Sequence, residues 1–109
     1  MLIDKSLVLQ AEQIADHYGL DSQMSVAQEE LAELIQSISK LRRTEIEFRR
    51  GGVPLIHALM SVAEETADVL IMMVQLMHLL GNEDLVNFWM QQKLDRTRKR
   101  IQEELDEET

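Results

Sequence analysis

The stretch Met24–Leu41, "MSVAQEELAELIQSISKL", decides how this chain reads. Met24, Ala27, Leu31, Leu34, Ile38 and Leu41 step by alternating threes and fours, which is the period of a helical bundle seam and not of a strand. Lys40, Arg42 and Arg43 gather at the C-terminal end, where cations complement the helix dipole. On the flank of the apolar stripe stand Glu30 and Glu33, with Glu29 just before them. A second stretch, "VAEETADVLIM" at 62–72, repeats the arrangement with Glu65 and Asp68 after Glu64. Residues three apart on a helix lie about 60° apart, so the two members of each pair project together.

Working outward, Ile3, Leu7, Ala11, Ile14 and Tyr18 predict a first helix over Asp4–Tyr18, stopped by Gly19. Asp21 or Ser22 is suited to cap the second. "RRGGVP" at 49–54 forces a break, and Pro54 is expected to open a third helix running to Leu80. That helix carries Leu55, Leu59, Val62, Thr66, Leu70, Met73 and Met77 on one face. After Asp68 it is apolar on almost every side, which predicts cover from another subunit. Gly81 ends it, Asn82 is placed to cap a fourth helix, and Glu83 and Asp84 suit its first turn. Short connections between four helices predict one all-α domain over residues 1–109, an antiparallel four-helix bundle with a frayed acidic end at about 103–109.

Composition narrows the function classes. Apolar residues make up 45% of the chain but aromatics only 4%, so the core has to be aliphatic and rich in methionine. A net charge of −9 argues against general nucleic-acid binding, which needs a basic footprint. The absence of cysteine rules out disulfides and thiolate metal sites. The apolar run Val69–Leu80 is broken by Gln75 and His78 and is too short to span a bilayer, and no basic-then-apolar leader pattern opens the chain. A cytoplasmic protein without a membrane partner is expected.

If the second and third helices form a hairpin, Glu30, Glu33, Glu65 and Asp68 face one another and repel unless a cation joins them. Hard oxygen donors without histidine or cysteine select Mg²⁺, or Mn²⁺, over zinc. A di-iron bundle would need Glu-x-x-His pairs, whereas His17, His57 and His78 follow Ile14, Pro54 and Gln75 at that spacing. The alternative is solvated surface: 20 acidic residues produce such pairs by chance, as Glu103/Asp106 and Glu104/Glu107 illustrate. Register matters here. The pairs are level if the hairpin centres near residue 49, while the glycines place the turn near 51, an offset of about four residues or roughly 6 Å of helix. A fray of the second helix or a crossing angle would absorb it.

On the fourth helix Lys93, Arg96 and Arg100 share an arc of about 60°, with Trp89 one turn earlier, while Arg98 and Lys99 point elsewhere. Such a strip suits a polyphosphate, or equally a surface paired with glutamates of another helix. Trp89 is placed either to stack a base or to anchor an interface.

"EELAEL" followed by "EETADVLIMM" resembles the E-x-x-E … E-x-x-D signature of the all-α NTP pyrophosphohydrolases, the MazG-like group, and "KLDRTRKRI" resembles its basic C-terminal segment. The resemblance spans about residues 20–101. It implies a helical bundle working as a homodimer or homotetramer and hydrolysing a nucleoside triphosphate to the monophosphate and pyrophosphate. It also implies Mg²⁺ on Glu30, Glu33, Glu65 and Asp68 as the catalytic and metal-binding set, and Lys93, Arg96 and Arg100 at the phosphate-contacting positions. Two features depart from the pattern: the 31 residues between Glu33 and Glu65 slightly exceed the usual gap, and Asp95 stands where many relatives carry asparagine. The alternative expectation is a catalytically weak nucleotide-binding or protein-interaction module of the same fold.

Overall fold

The computed structural model describes residues 4–109, and among them every regular element is a helix: α1 Lys5–Tyr18, α2 Leu20–Arg49, α3 Ile56–Leu80 and α4 Glu83–Glu108. Ile3, expected on the first apolar stripe, lies outside the described residues. The all-α, four-helix expectation holds. Several boundaries differ in ways that have physical causes.

Asp4 caps α1, its Oδ1 accepting from the Ser6 amide at 2.7 Å. Gly19 both ends α1 and precedes α2, so Asp21 and Ser22 lie inside the first turn of α2 and do not cap it. A one-residue link leaves no room for a separate cap. Pro54 does not open α3, which begins at Ile56 after Leu55. Asn82 does sit at the start of α4, but its side chain makes no capping bond. The acidic end is helical, α4 continuing through Glu108.

α2 and α3 run antiparallel and make the most extensive contact in the molecule. Gln23 Nε2 donates to Gln75 Oε1 at 2.8 Å, and Ser37 and Ser61 hydroxyls meet at 2.8 Å. Both pairs are equidistant in sequence from position 49. The register therefore centres on 49 although the glycines follow it, and α2 does not fray. Instead α2 runs on to Arg49, past the start of α3, and the loop doubles back beside its last turns. That reversal is built by Gly51 and Gly52. The Gly51 amide bonds to Phe48 O and the Gly52 amide to Glu47 O, each at 2.9 Å, the paired bonds that close a helix through a left-handed residue. Gly51 has φ +81°, and a Cβ on Gly52 would meet Glu47 O at 3.2 Å.

α1 packs on α3 in parallel, since Ala11 lies by Gln75 and Asp16 by His78. The fully packed centre is small: Ala11, Ala15, Ala27, Ala58 and Met72 are the buried apolar residues, with Gln23, Ser37 and Gln75 as buried polar ones. Alanines at the seams let helices approach closely. The larger stripe residues Leu7, Ile14, Met24, Leu31, Ile38 and Leu59 stay substantially exposed in the single chain.

The expected bundle is incomplete within one chain. α4 touches only α3, no α4 residue is buried, and Leu85, Phe88, Trp89, Met90, Leu94, Ile101 and Leu105 are exposed. The consequence is measurable. The accessible surface is 8774 Å², where a compact monomer of this mass has about 6,200 Å². The radius of gyration is 18.2 Å, against about 13 Å for a compact domain of this length. No helix of the described residues is long and apolar enough to cross a membrane.

Candidate functional site

Because the register centres on 49, Glu30 falls opposite Asp68 and Glu33 opposite Glu65, so the hairpin brings the two acidic pairs level. Oxygens of Glu30, Glu33 and Glu65 lie within 4.8 Å of one another. Asp68 stands outside that group of three, but its charge acts on both Glu30 and Glu65. The four carboxylates expected from the sequence are thus neighbours. Glu29 and Glu64 are exposed; Glu64 adds only a small repulsion to Glu65.

The carboxylates of this group raise one another's proton affinity. The Glu30 carboxyl is pushed up to about 7, first by burial and then by the charges of Glu33 and Asp68. Glu65 is raised for the same reasons, burial first, then Glu33 and Asp68. Glu30 Oε2 and Glu65 Oε2 are sealed from solvent and have no hydrogen-bond donor. Among the described residues no lysine or arginine forms an ion pair with any of the four; the ion pairs are Arg49–Glu45 and those of His78 with Glu12 and Asp16. Two buried carboxylate oxygens without a donor need either a proton or a cation.

The donor set fits a hard divalent ion. It is all oxygen, comes from two rigid helices and contains no imidazole or thiolate, the chemistry that suits Mg²⁺ or Mn²⁺. The helices are held in register beside it by the Ser37–Ser61 bond on one side and the Gln23–Gln75 bond on the other. Thr66, between Glu65 and Asp68, turns its hydroxyl back to Val62 O at 2.6 Å and is not directed at the carboxylates.

The basic strip is placed differently. Lys93, Arg96 and Arg100 are exposed on α4, form no ion pair among the described residues, and are not paired with the carboxylates, α4 making only a slight contact with α3. Trp89 is exposed and stacks edge-to-face on Phe88 at 5.4 Å between centroids. Asp95 accepts from Gln91 Nε2 at 2.9 Å along the same helix.

Sequence reasoning missed the buried glutamine relay. Gln75 Nε2 donates to Ala11 O at 3.0 Å while its Oε1 accepts from Gln23, so one side chain joins α1, α2 and α3. The interruption of an apolar run by Gln75 was the available signal. No protein-family model, curated protein or solved structure matches the chain.

Proposed function

We propose that the protein is a Mg²⁺-dependent nucleoside triphosphate pyrophosphohydrolase of the MazG-like type. The observation that carries this reading is the convergence of Glu30, Glu33 and Glu65 on the α2–α3 hairpin, within the field of Asp68, with two sealed carboxylate oxygens that lack a donor. These four residues would hold the metal. When bound, Mg²⁺ or Mn²⁺ offsets charge on phosphate oxygens and orients the attacking water. A carboxylate of the set not fully engaged takes the water's proton. Lys93, Arg96 and Arg100 would contact the phosphates once α4 is seated in the oligomer, arginine through a forked pair of donors and lysine as a point charge. Trp89 belongs to the same face and offers a ring for the base.

The reading includes a homodimer or homotetramer. A surplus of about 2,600 Å² of surface per chain is of the size that obligate homo-oligomers bury, and α4 contributes an apolar face that the rest of the chain leaves uncovered. Sedimentation at high micromolar concentration should give a multiple of 12.6 kDa; a monomer would remove assembly from the account.

The activity test is pyrophosphate release over a panel of ribo- and deoxyribonucleoside triphosphates, with Mg²⁺ or with chelator. Chelator-sensitive release of pyrophosphate and monophosphate is expected. Mg²⁺-dependent nucleotide binding without release would instead identify a nucleotide-binding module, and neither would leave a protein-interaction module.

A further inference from the structure

His78 lies in the last turn of α3, far from the carboxylate centre, and both of its ring nitrogens face carboxylates of α1. Nε2 is 2.8 Å from Asp16 Oδ1, and Nδ1 is 3.2 Å from Glu12 Oε2. A neutral imidazole carries one N–H and one lone pair, and a carboxylate only accepts. One of the two contacts is therefore repulsive unless the ring is protonated on both nitrogens. Glu12 and Asp16 are one turn apart, so the ring spans a single face of α1.

We propose that His78 is a pH-sensitive latch that seats α1 on α3 as an imidazolium and loosens that seat when it loses its proton. The surroundings favour the charged form. The C-terminal end of α3 presents the negative pole of its dipole. From α1 come Glu12 and Asp16, and from the start of α4 come Glu83 and Asp84, which line the same hollow with Met77 and Gly81. α2 supplies no partner to the ring among the described residues. The ring's proton affinity is accordingly raised above the ordinary histidine value of 6.5, chiefly by the bond to Asp16, against a partial loss of hydration. A raised value means that the latch is fully made below the unfolded value and is lost as pH rises through the folded one.

The joint it controls is otherwise weakly secured. α1 is tied to α2 by one residue, packs through Ala11 and Ala15, and shares one further side-chain bond with α3, from Gln75 to Ala11 O. Between α1 and α3 lies an open apolar groove of about 330 Å³, lined in part by Leu7, Ile14, Ala67 and Val74.

The test is amide hydrogen exchange on the intact protein from about pH 6 to about pH 9, the range that brackets a raised histidine. Protection factors in α1 are compared with those in α2. In the native protein, α1 protection should fall severalfold relative to α2 as pH rises, and His78→Gln should give low α1 protection with no such pH dependence. A nitrogen-detected titration of the native ring gives a readout that does not depend on the variant folding. It should show both nitrogens protonated at the acid end and a midpoint above 6.5. A midpoint at or below 6.5, or the same α1 pH profile with and without His78, would overturn the latch.

Discussion

The carboxylate centre and the basic strip are both charged, both helical and both set beside apolar stripes, yet the single chain treats them in opposite ways. Glu30 and Glu65 are pressed against Glu33 and Asp68 inside a hairpin whose register is pinned at Gln23–Gln75 and Ser37–Ser61. Lys93, Arg96 and Arg100 project from a helix that buries nothing. The first arrangement costs free energy and is held by packing on both sides. The second costs nothing and is held by nothing in this chain. A group of like charges kept together against repulsion calls for a proton or a cation, whereas exposed cations on a free helix acquire meaning only from what covers them.

The largest effect expected from this contrast follows from removing one carboxylate. Glu33→Gln or Asp68→Asn should lower Mg²⁺-dependent pyrophosphate release by about a hundredfold or more, roughly 2.7 kcal/mol of transition-state stabilisation. Far-ultraviolet circular dichroism should be unchanged, because the site resides on helices already pinned at other residues. Near-native kcat/KM in both variants would separate the acidic centre from catalysis.

A smaller effect is expected on α4. Lys93→Ala and Arg96→Ala should each reduce kcat/KM by at least about tenfold, close to 1.4 kcal/mol. Arg98→Ala and Lys99→Ala remove the same unit charge from another arc of the helix and should change it little, since screened surface charges contribute weakly. Equal losses across all four variants would mean that net charge matters and the helical face does not.

The smallest effect concerns stability without metal. The Glu30 carboxyl rises from 4.5 to about 7 in the folded chain. Its contribution is therefore fully present below the unfolded value of 4.5 and is lost as pH rises through about 7. In chelator, the Tm should fall across that window, and Glu30→Gln should fall less steeply and melt higher than the native protein at neutral pH. Scanning calorimetry decides it; parallel pH profiles for the two proteins would show that Glu30 is not held against repulsion.

Much of this molecule is legible in the order of its residues, and what is not has specific causes. The seam from Met24 to Leu41 and the run from Leu55 to Met77 define two helices, and their flanking acids define the candidate site. The register escaped because the turn was placed at its glycines. The loop instead runs back along α2 after Gly51 and Gly52, which puts the hairpin centre at 49. The core escaped in part because periodicity identifies an apolar face without saying what covers it. Hence Ala15 is sealed while Leu7, Ile14 and Leu59 on the predicted stripes remain open. The same gap explains α4, whose apolar residues predicted a fourth bundle member that this chain alone does not seat. Gln75 and His78 looked like interruptions of an apolar run; their partners Gln23, Glu12 and Asp16 are more than fifty residues away, beyond the reach of any local pattern.

Metal binding itself is the most direct measurement of the central claim. Mn²⁺, which shares the oxygen preference of Mg²⁺, is titrated into isotopically labelled protein and paramagnetic broadening is followed residue by residue. Saturable broadening centred on Glu30, Glu33, Glu65 and Asp68, displaced by excess Mg²⁺ and abolished in Asp68→Asn, is the predicted result. Broadening that never saturates, that spreads over the acidic residues of 103–109 instead, or that survives unchanged in Asp68→Asn would contradict it.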